Sequence, residues 1–310
     1  MNFQQLRIIR ETVRRNFNLT EASNALYTSQ SGASKHIRDL EMELGVDIFV
    51  RKGKRLLGLT EPGKELLVLV ERMLRDARNV KNLAEEYGNR LAGQLTVATT
   101  HTQARYALPP VVQQFKEEFP KVHLRLHQGS PAEIGDMLLT GEADIAVATE
   151  ALDEMQELAS FPYYAWHHAV LVPAGHALEH SAPLSLEAIA QYPIITYQEG
   201  FSGRTRRIDT AFAEAGLSPD VVITALDSDV IKTYVELGMG VGILASMAFD
   251  PVRDQGLRML DASHLFERNM TRIAVLRGHY LRGFAFRFIE LCAPALTERV
   301  VRAGMDTGAA

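Results

Sequence analysis

Residues 21–54 read EASNALYTSQSGASKHIRDLEMELGVDIFVRKGK, and the spacing of their apolar positions decides how the chain begins to fold. Ala33, Ile37, Leu40 and Leu44 step by four, three and four, the repeat of one helix face, and Gly45 stands where a glycine ends a helix. Upstream of the polar break TSQSG, Ala22, Ala25 and Leu26 mark a shorter helix starting after Thr20, a good cap. Leu6, Ile9, Val13 and Phe17 mark a helix before that one. Two helices joined by a short turn, the second capped by Ser29 or Ser31, outline a helix-turn-helix. Downstream, Arg51, Lys52, Lys54 and Arg55 surround Gly53 between two apolar arms, which predicts a β-hairpin wing with a basic tip.

Opposite the third apolar stripe lie Ser31, Ser34, Lys35 and Arg38, with Gln30 at the helix entrance. Gln and Ser hydrogen-bond base edges while Lys and Arg neutralise phosphates, although any surface helix presents a polar face. Charge is also unevenly spread. Residues 1–60 hold ten Lys/Arg against six acids, a net +4, so an overall −5 leaves −9 on the other 250 residues. A basic head on an acidic body points to nucleic acid at the head alone, a solvated charged face being the alternative.

The quoted stretch resembles the N-terminal domain of the LysR-type transcriptional regulators. Their motif runs from an Ala-rich helix through S-Q-x-x-x-S to L-E-x-x-L-G and an apolar-Phe-x-Arg wing. The resemblance implies double-stranded promoter DNA as a partner, with base contacts at Gln30, Ser31 and Ser34. Phosphate or groove contacts would fall on Lys35, Arg38 and Lys54. Most members have proline where this chain has Ser31, which bears on base preference rather than on fold, since serine also suits a helix start.

Thr60 caps, and Pro62 helps start, a long helix predicted to reach about Arg90. Along it Leu66, Val70, Met73, Ala77, Val80, Ala84 and Tyr87 alternate steps of four and three, a coiled-coil period flanked by charges. Such a seam packs on its own effector domain or on a second copy; the resemblance implies a dimerising linker and, beyond the homodimer, a homotetramer. Gly88 and Gly93 would close the helix and supply a flexible joint. The expected domains are therefore a winged helix-turn-helix over 1–59, a linker helix over 60–92 and an effector-binding region over 93–310.

From Gln94 the periodicity alternates between strand and helix: LTVAT, then Tyr106 to Glu118, VHLRLH, Pro131 to Leu139 and ADIAVAT. A second series follows in HAVLVP, SLEAIAQY, PIITY, Arg204 to Ala215, VVITA, Val230 to Leu237 and VGILAS. Alternation of this kind predicts parallel sheet with covering helices, here as two Rossmann-like lobes. IAVLRG and an apolar helix over about Leu281 to Leu296 remain to complete the first lobe, so the chain would cross between lobes twice. Lobe one would hold about 93–163 and 268–300, and lobe two about 164–267. The result is an α/β, periplasmic-binding-protein-like clam whose crevice binds small molecules.

The loop ATTHTQARY, residues 98–106, lies after the first strand of lobe one and leads into a helix. Helix N-termini favour anions, and Thr100, Thr102 and Gln103 add neutral donors. YQEGFSGR at 197–204 occupies the same strand-to-helix position in lobe two and offers Ser202, while Thr149 ends a lobe-one strand. The alternative is that the threonines merely cap the helix. TTHTQARYALP, HQGSP, GEADIAVATEAL, Trp166, FSGRTRR and SDVIKTYVELGMGVGILASMA resemble the CysB-like subgroup of LysR-type regulators, over about residues 2–295. That resemblance implies control of sulfur assimilation and cysteine biosynthesis, or of organosulfonate use. It implies a crevice that takes sulfate or thiosulfate, with N-acetylserine or O-acetylserine as inducer. The sulfate donors would be Thr100, Thr102, Gln103, Thr149 and Ser202, the last replacing the subgroup's threonine. Tyr164, Trp166 and Tyr197 would line the crevice or belong to the core. Inducer binding would change the lobe angle, relax DNA bending and admit RNA polymerase.

An enzyme is the main rival reading. His101, His123, His127, His167 and His168 fit no metal-ligand spacing, and LGMGVG at 237–242 follows a helix pattern and precedes a strand, the reverse of a dinucleotide loop. No catalytic residue, metal or cofactor is therefore assigned. The single cysteine, Cys292, sits in an apolar pattern and reads as core. Arg7, Arg10, Arg14 and Arg15 interrupt the N-terminal apolar positions, and no run approaches a bilayer span, which predicts a cytoplasmic protein without membrane contact.

Overall fold

A computed structural model describes residues 1–53, 55–181, 183–198 and 206–306. Lys54 and Ser202 lie outside the described residues. The chain divides into two compact units, Met1–Ala84 and Glu85–Ala310.

The first unit begins with α1 (Phe3–Arg14), α2 (Leu19–Ala25) and α3 (Gln30–Leu44). The wing strands β1 (Phe49–Lys52) and β2 (Arg55–Leu59) follow as an antiparallel pair. Leu6, Ile9, Ala33, Ile37, Leu40, Ile48 and Phe49 form its core, as the helical stripes require. The α2 cap differs from expectation: the helix starts at Leu19, so Asn18 rather than Thr20 is the cap, its side-chain oxygen accepting from the amides of Thr20 and Glu21. Ser29 caps α3, and Gly45 ends it at a φ of +70°.

α4 (Glu61–Gly88) starts as read, with the Gly63 amide donating to Thr60 Oγ1 at 3.0 Å. Only glycine fits at 63, since a Cβ there would stand 2.1 Å from the Ile48 carbonyl oxygen. The apolar seam needs correction. Val70 is 1 % exposed and, with Leu66, Leu67 and Leu74, closes the head's own core. The face left open instead carries Leu69, Met73, Val80, Leu83 and Tyr87, with Val80 68 % and Tyr87 77 % exposed. One of the two heptad positions thus slips back by a residue, from 70, 77 and 84 to 69, 76 and 83, because the head claims the neighbouring face.

In the second unit, lobe one contains β3 (Ala92–Thr99), α5 (Pro109–Glu118), β4 (Lys121–Gln128), α6 (Pro131–Leu139), β5 (Ile145–Ala148) and β6 (Leu158–Trp166). Lobe two contains β7 (His168–Pro173), α7 (Leu186–Ile189), β8 (Ile194–Tyr197), α8 (Arg206–Glu214), β9 (Val221–Ala225), α9 (Ser228–Glu236), β10 (Val241–Ala245) and β11 (Leu257–Asp261). The chain then returns through β12 (Asn269–Leu276), α10 (Gly283–Cys292) and α11 (Glu298–Asp306). The sheets run β4-β3-β5-β12-β6 and β11-β7-β10-β8-β9. Each has three adjacent parallel strands in the same relative order, one strand antiparallel to them (β12 or β7) and an edge strand (β6 or β11) that runs with the parallel set, so the sheets are mixed rather than parallel. β7 and β12 are antiparallel to the parallel sets they join, and each arrives from the other lobe.

Trp166 pairs with Asn269 in the β6–β12 ladder, so lobe one extends to 166 and the crossings lie at 167 and in 262–268, a few residues from the expected boundary. β6 eluded periodicity because Pro162 interrupts it, which an edge strand tolerates. The predicted helix over Tyr106 to Glu118 is divided. Gln103–Ala107 forms a π-helical turn, and α5 begins at Pro109, because consecutive prolines fit only a first turn. The expected terminal helix is α10, which ends at Cys292, and a further helix, α11, follows beyond the predicted end. Burial pushes the Cys292 thiol up to about 12, away from thiolate chemistry.

Candidate functional site

On the head, Gln30 and Ser31 occupy the first turn of α3 and are exposed, as are Lys35 and Arg38, while Ser34 is half-buried. The Ser29 hydroxyl caps the Gly32 amide at 3.0 Å and lies 3.2 Å from the Ser31 hydroxyl. Gln30 shares a hollow with Arg15, Asn18, Thr20 and Arg55, so the second wing strand and the start of α2 border the entrance of α3. Glu41 is a structural residue that motif reading left without a role. Its buried carboxylate accepts from the amides of Ile48 at 3.0 Å and Phe49 at 3.3 Å, and pairs with Arg51 at 2.6 Å.

In the second unit the expected anion donors collect at the carboxyl ends of β3 and β5, neighbouring parallel strands where open α/β sheets hold ligands. Thr100, Gln103 and Thr149 are buried there. The Ala104 amide bonds back to the Thr100 carbonyl at 3.0 Å, so the amides of 101–103 precede it at the amino, donor end of the turn. Thr149 is 4 % exposed, yet its Oγ1 finds no hydrogen-bond partner among the described residues.

The remaining residues are tied into the walls. Gln103 donates through Nε2 to Thr271 at 3.2 Å and accepts from the Tyr164 hydroxyl through Oε1. Burial pushes the Tyr164 phenol up to about 12, so it stays a donor. Thr102 and Ser228 lie 3.3 Å apart across the crevice, and Ser228 lies 2.7 Å from the Tyr197 hydroxyl, which also accepts from the Ala245 amide at 3.2 Å. Tyr197 is therefore a wall support rather than an open lining. Trp166 stands at the crossing, edge-on to His168 at 5.1 Å, its indole nitrogen buried without a partner among the described residues.

Sequence reading missed the residues that join the lobes. Asp229 accepts from the Tyr106 hydroxyl and pairs with Arg105 at 2.9 Å and Lys232 at 3.2 Å. Burial opposes its ionisation, but the Tyr106 hydrogen bond, Lys232 and Arg105 together hold its carboxyl below the ordinary range. Ligand atoms of His101, Asp227 and Asp229 lie within 4.8 Å of one another, yet Asp229 is already engaged by two cations, which disfavours a metal there.

Two family models match: "Bacterial regulatory helix-turn-helix protein, lysR family" over residues 3–64 and "LysR substrate binding domain" over residues 88–297. The chain is 60 % identical to the HTH-type transcriptional regulator SsuR of Burkholderia cenocepacia, over 96 % of each chain. It is 52 % identical to CysB of the same organism, over 97 % of this chain and 96 % of that one. The crystal structure of the cofactor-binding domain of the Cbl transcriptional regulator superposes with a TM-score of 0.66 at 47 % identity, covering 70 % of this chain and 96 % of that one. The chain belongs to the LysR family of transcriptional regulators. These relatives are named as transcriptional regulators, not enzymes. Among the described residues no helix is long and apolar enough to cross a membrane.

Proposed function

We infer that this regulator responds to a small sulfur-pathway oxyanion held between the lobes: the carboxylate of N-acetylserine or O-acetylserine, or sulfate or thiosulfate. The observation that carries the reading is the buried Thr149 hydroxyl without a partner among the described residues, following β5 where the neighbouring parallel strand β3 leads into the turn at 101–103. A buried unsatisfied hydroxyl costs about 1–3 kcal/mol, which a ligand acceptor would recover. Neutral donors suit the task because they bind an anion without neutralising themselves on a neighbouring acid. Similarity to SsuR and CysB supports sulfur compounds over other anions.

On this reading the protein acts in the cytoplasm as a homodimer through the open face of α4, assembles to a tetramer, binds promoter DNA through α3 and the wing, and admits RNA polymerase when the effector changes the lobe angle. The effector must bind the two lobe arrangements unequally, since equal affinity shifts nothing. The identity to SsuR exceeds that to CysB, which favours a second target set, genes for organosulfonate use, read through the same crevice. Mobility of operator fragments from both gene sets, run with O-acetylserine, N-acetylserine, sulfate and an alkyl sulfonate at fixed salt, tests both. A response to none of these compounds at either operator would overturn the effector assignment.

A further inference from the structure

Gly88, which ends α4, and Gly93, in β3, read as a flexible joint, yet the structure braces that joint with one side chain. Arg282 immediately precedes α10, next to Leu281 of the lobe-one core, and is only 6 % exposed. Its Nη2 donates to the carbonyl oxygens of Asn89 at 2.6 Å, Ala92 at 3.0 Å and Glu85 at 3.3 Å. Its Nε and Nη1 meet the carboxylates of Glu86 at 3.3 Å and Glu85 at 3.4 Å. The guanidinium also lies over the Phe284 ring, 4.7 Å from its centre. Gly93 has a φ of +149°, and a Cβ there would stand 2.3 Å from Arg282 Nη1.

These contacts join the last turn of α4, through Glu85 and Glu86, to the main chain at 89 and 92 beyond its end, and place a cation at the negative end of the helix dipole. A planar fork serves several acceptors at once, whereas a lysine would serve them as a single point. We propose that Arg282 is a positioning residue for allosteric coupling: it fastens the last turn of α4 to lobe one, so that a change in lobe angle reaches the linker helix instead of dissipating in the glycine joint. The inference rests on the effector-responsive reading above. Its physical content is that the residues 85–93 move with lobe one as a single piece.

The test uses the full-length protein with R282A, R282K and, as a milder disruption, E86Q. Hydrogen exchange reads the fastening directly: amides in 85–93 should exchange at least tenfold faster in R282A, less so in R282K and E86Q. Unchanged exchange in R282A would overturn the proposal. The coupling readout is effector-induced change in bend, from energy transfer across an end-labelled operator. R282A should keep calorimetric affinity for O-acetylserine and operator affinity within about twofold, yet lose at least four-fifths of the bend change, with R282K partly rescuing it. A full bend response in R282A would overturn it as well. If R282A fails to fold, E86Q carries the same two outcomes. A wild-type protein that binds none of the sulfur compounds counts against the effector assignment, and the exchange result then decides the fastening alone.

Discussion

The Tyr106 hydroxyl, carried by lobe one, donates to Asp229 of lobe two at 2.5 Å, while the ring packs against the apolar cluster of lobe two. The π-helical turn over Gln103–Ala107 makes this reach possible, because it widens the helix where the crevice begins. Tyr106 therefore ties the lobes together, beside the Arg105–Asp229 pair and the Thr102–Ser228 contact, from the same loop that presents Thr100, Thr102 and Gln103. Tyr106→Phe should keep the packing and remove the hydrogen bond, at a cost of about 1 kcal/mol given the partial exposure of the site. A urea midpoint equal to wild type would show that the contact contributes nothing.

Asp229 gives this latch a pH dependence. Its carboxyl is held below the ordinary range when folded, so its stabilisation is present above the unfolded value of about 3.9 and is lost as pH falls through the lower folded value. The stability difference between wild type and Asp229→Asn should be flat from pH 5 to 7 and shrink below about pH 4. Equilibrium urea curves across that range check the sign, and a difference that grows on acidification would reverse it.

Thr149→Val separates stability from binding. The change is close to isosteric and removes a buried hydroxyl that has no partner among the described residues, so the empty protein should be unchanged or more stable. Sulfate or acetylserine affinity should fall by roughly 10- to 100-fold, the worth of a hydrogen bond to a charged group. Calorimetry with each anion measures it. Undiminished binding would remove Thr149 from the site.

The corrected seam predicts opposite outcomes for two valines. Val80→Glu places a charge on the open face of α4 and should dissociate dimers in sedimentation velocity, with little effect on the head. Val70→Ala should leave assembly intact and cost the head roughly 1–3 kcal/mol through a cavity. An exchange of these outcomes would restore the simple heptad reading.

At the operator, Arg38 and Lys35 are expected to meet phosphates. Arg38→Ala should weaken binding to all sequences alike and lower the salt slope of log affinity by about one. A loss confined to one base sequence would make Arg38 a base reader.

Much of this architecture was legible before any coordinates. The head is written in local signals: Ser29 before α3, Gly45 after it and Gly53 in the wing each act within a few residues. The two-lobe frame was legible in the alternating periodicity, and with it that Thr100 and Thr149 directly follow strands of lobe one, which are neighbours. What escaped depends on distant partners. Nothing near Val70 reveals that the head buries it, so a seam that looks continuous in sequence is shared between two surfaces. Nothing near Asp229 or Arg282 in sequence marks their roles, because Tyr106 and Ala92, which they bind, lie 123 and 190 residues away. Pro162 hid a strand by breaking a rule that edge strands may break.

Glu41 has one more consequence. By accepting from both residues at the root of the hairpin and gripping Arg51, it sets the interval between the two DNA-facing parts of the head before any duplex arrives. The entropy of arranging them is spent during folding, so little of it is charged to the encounter. Losses from damage to either part should then fail to add, since a tool with a fixed gauge seats in both grooves or in neither.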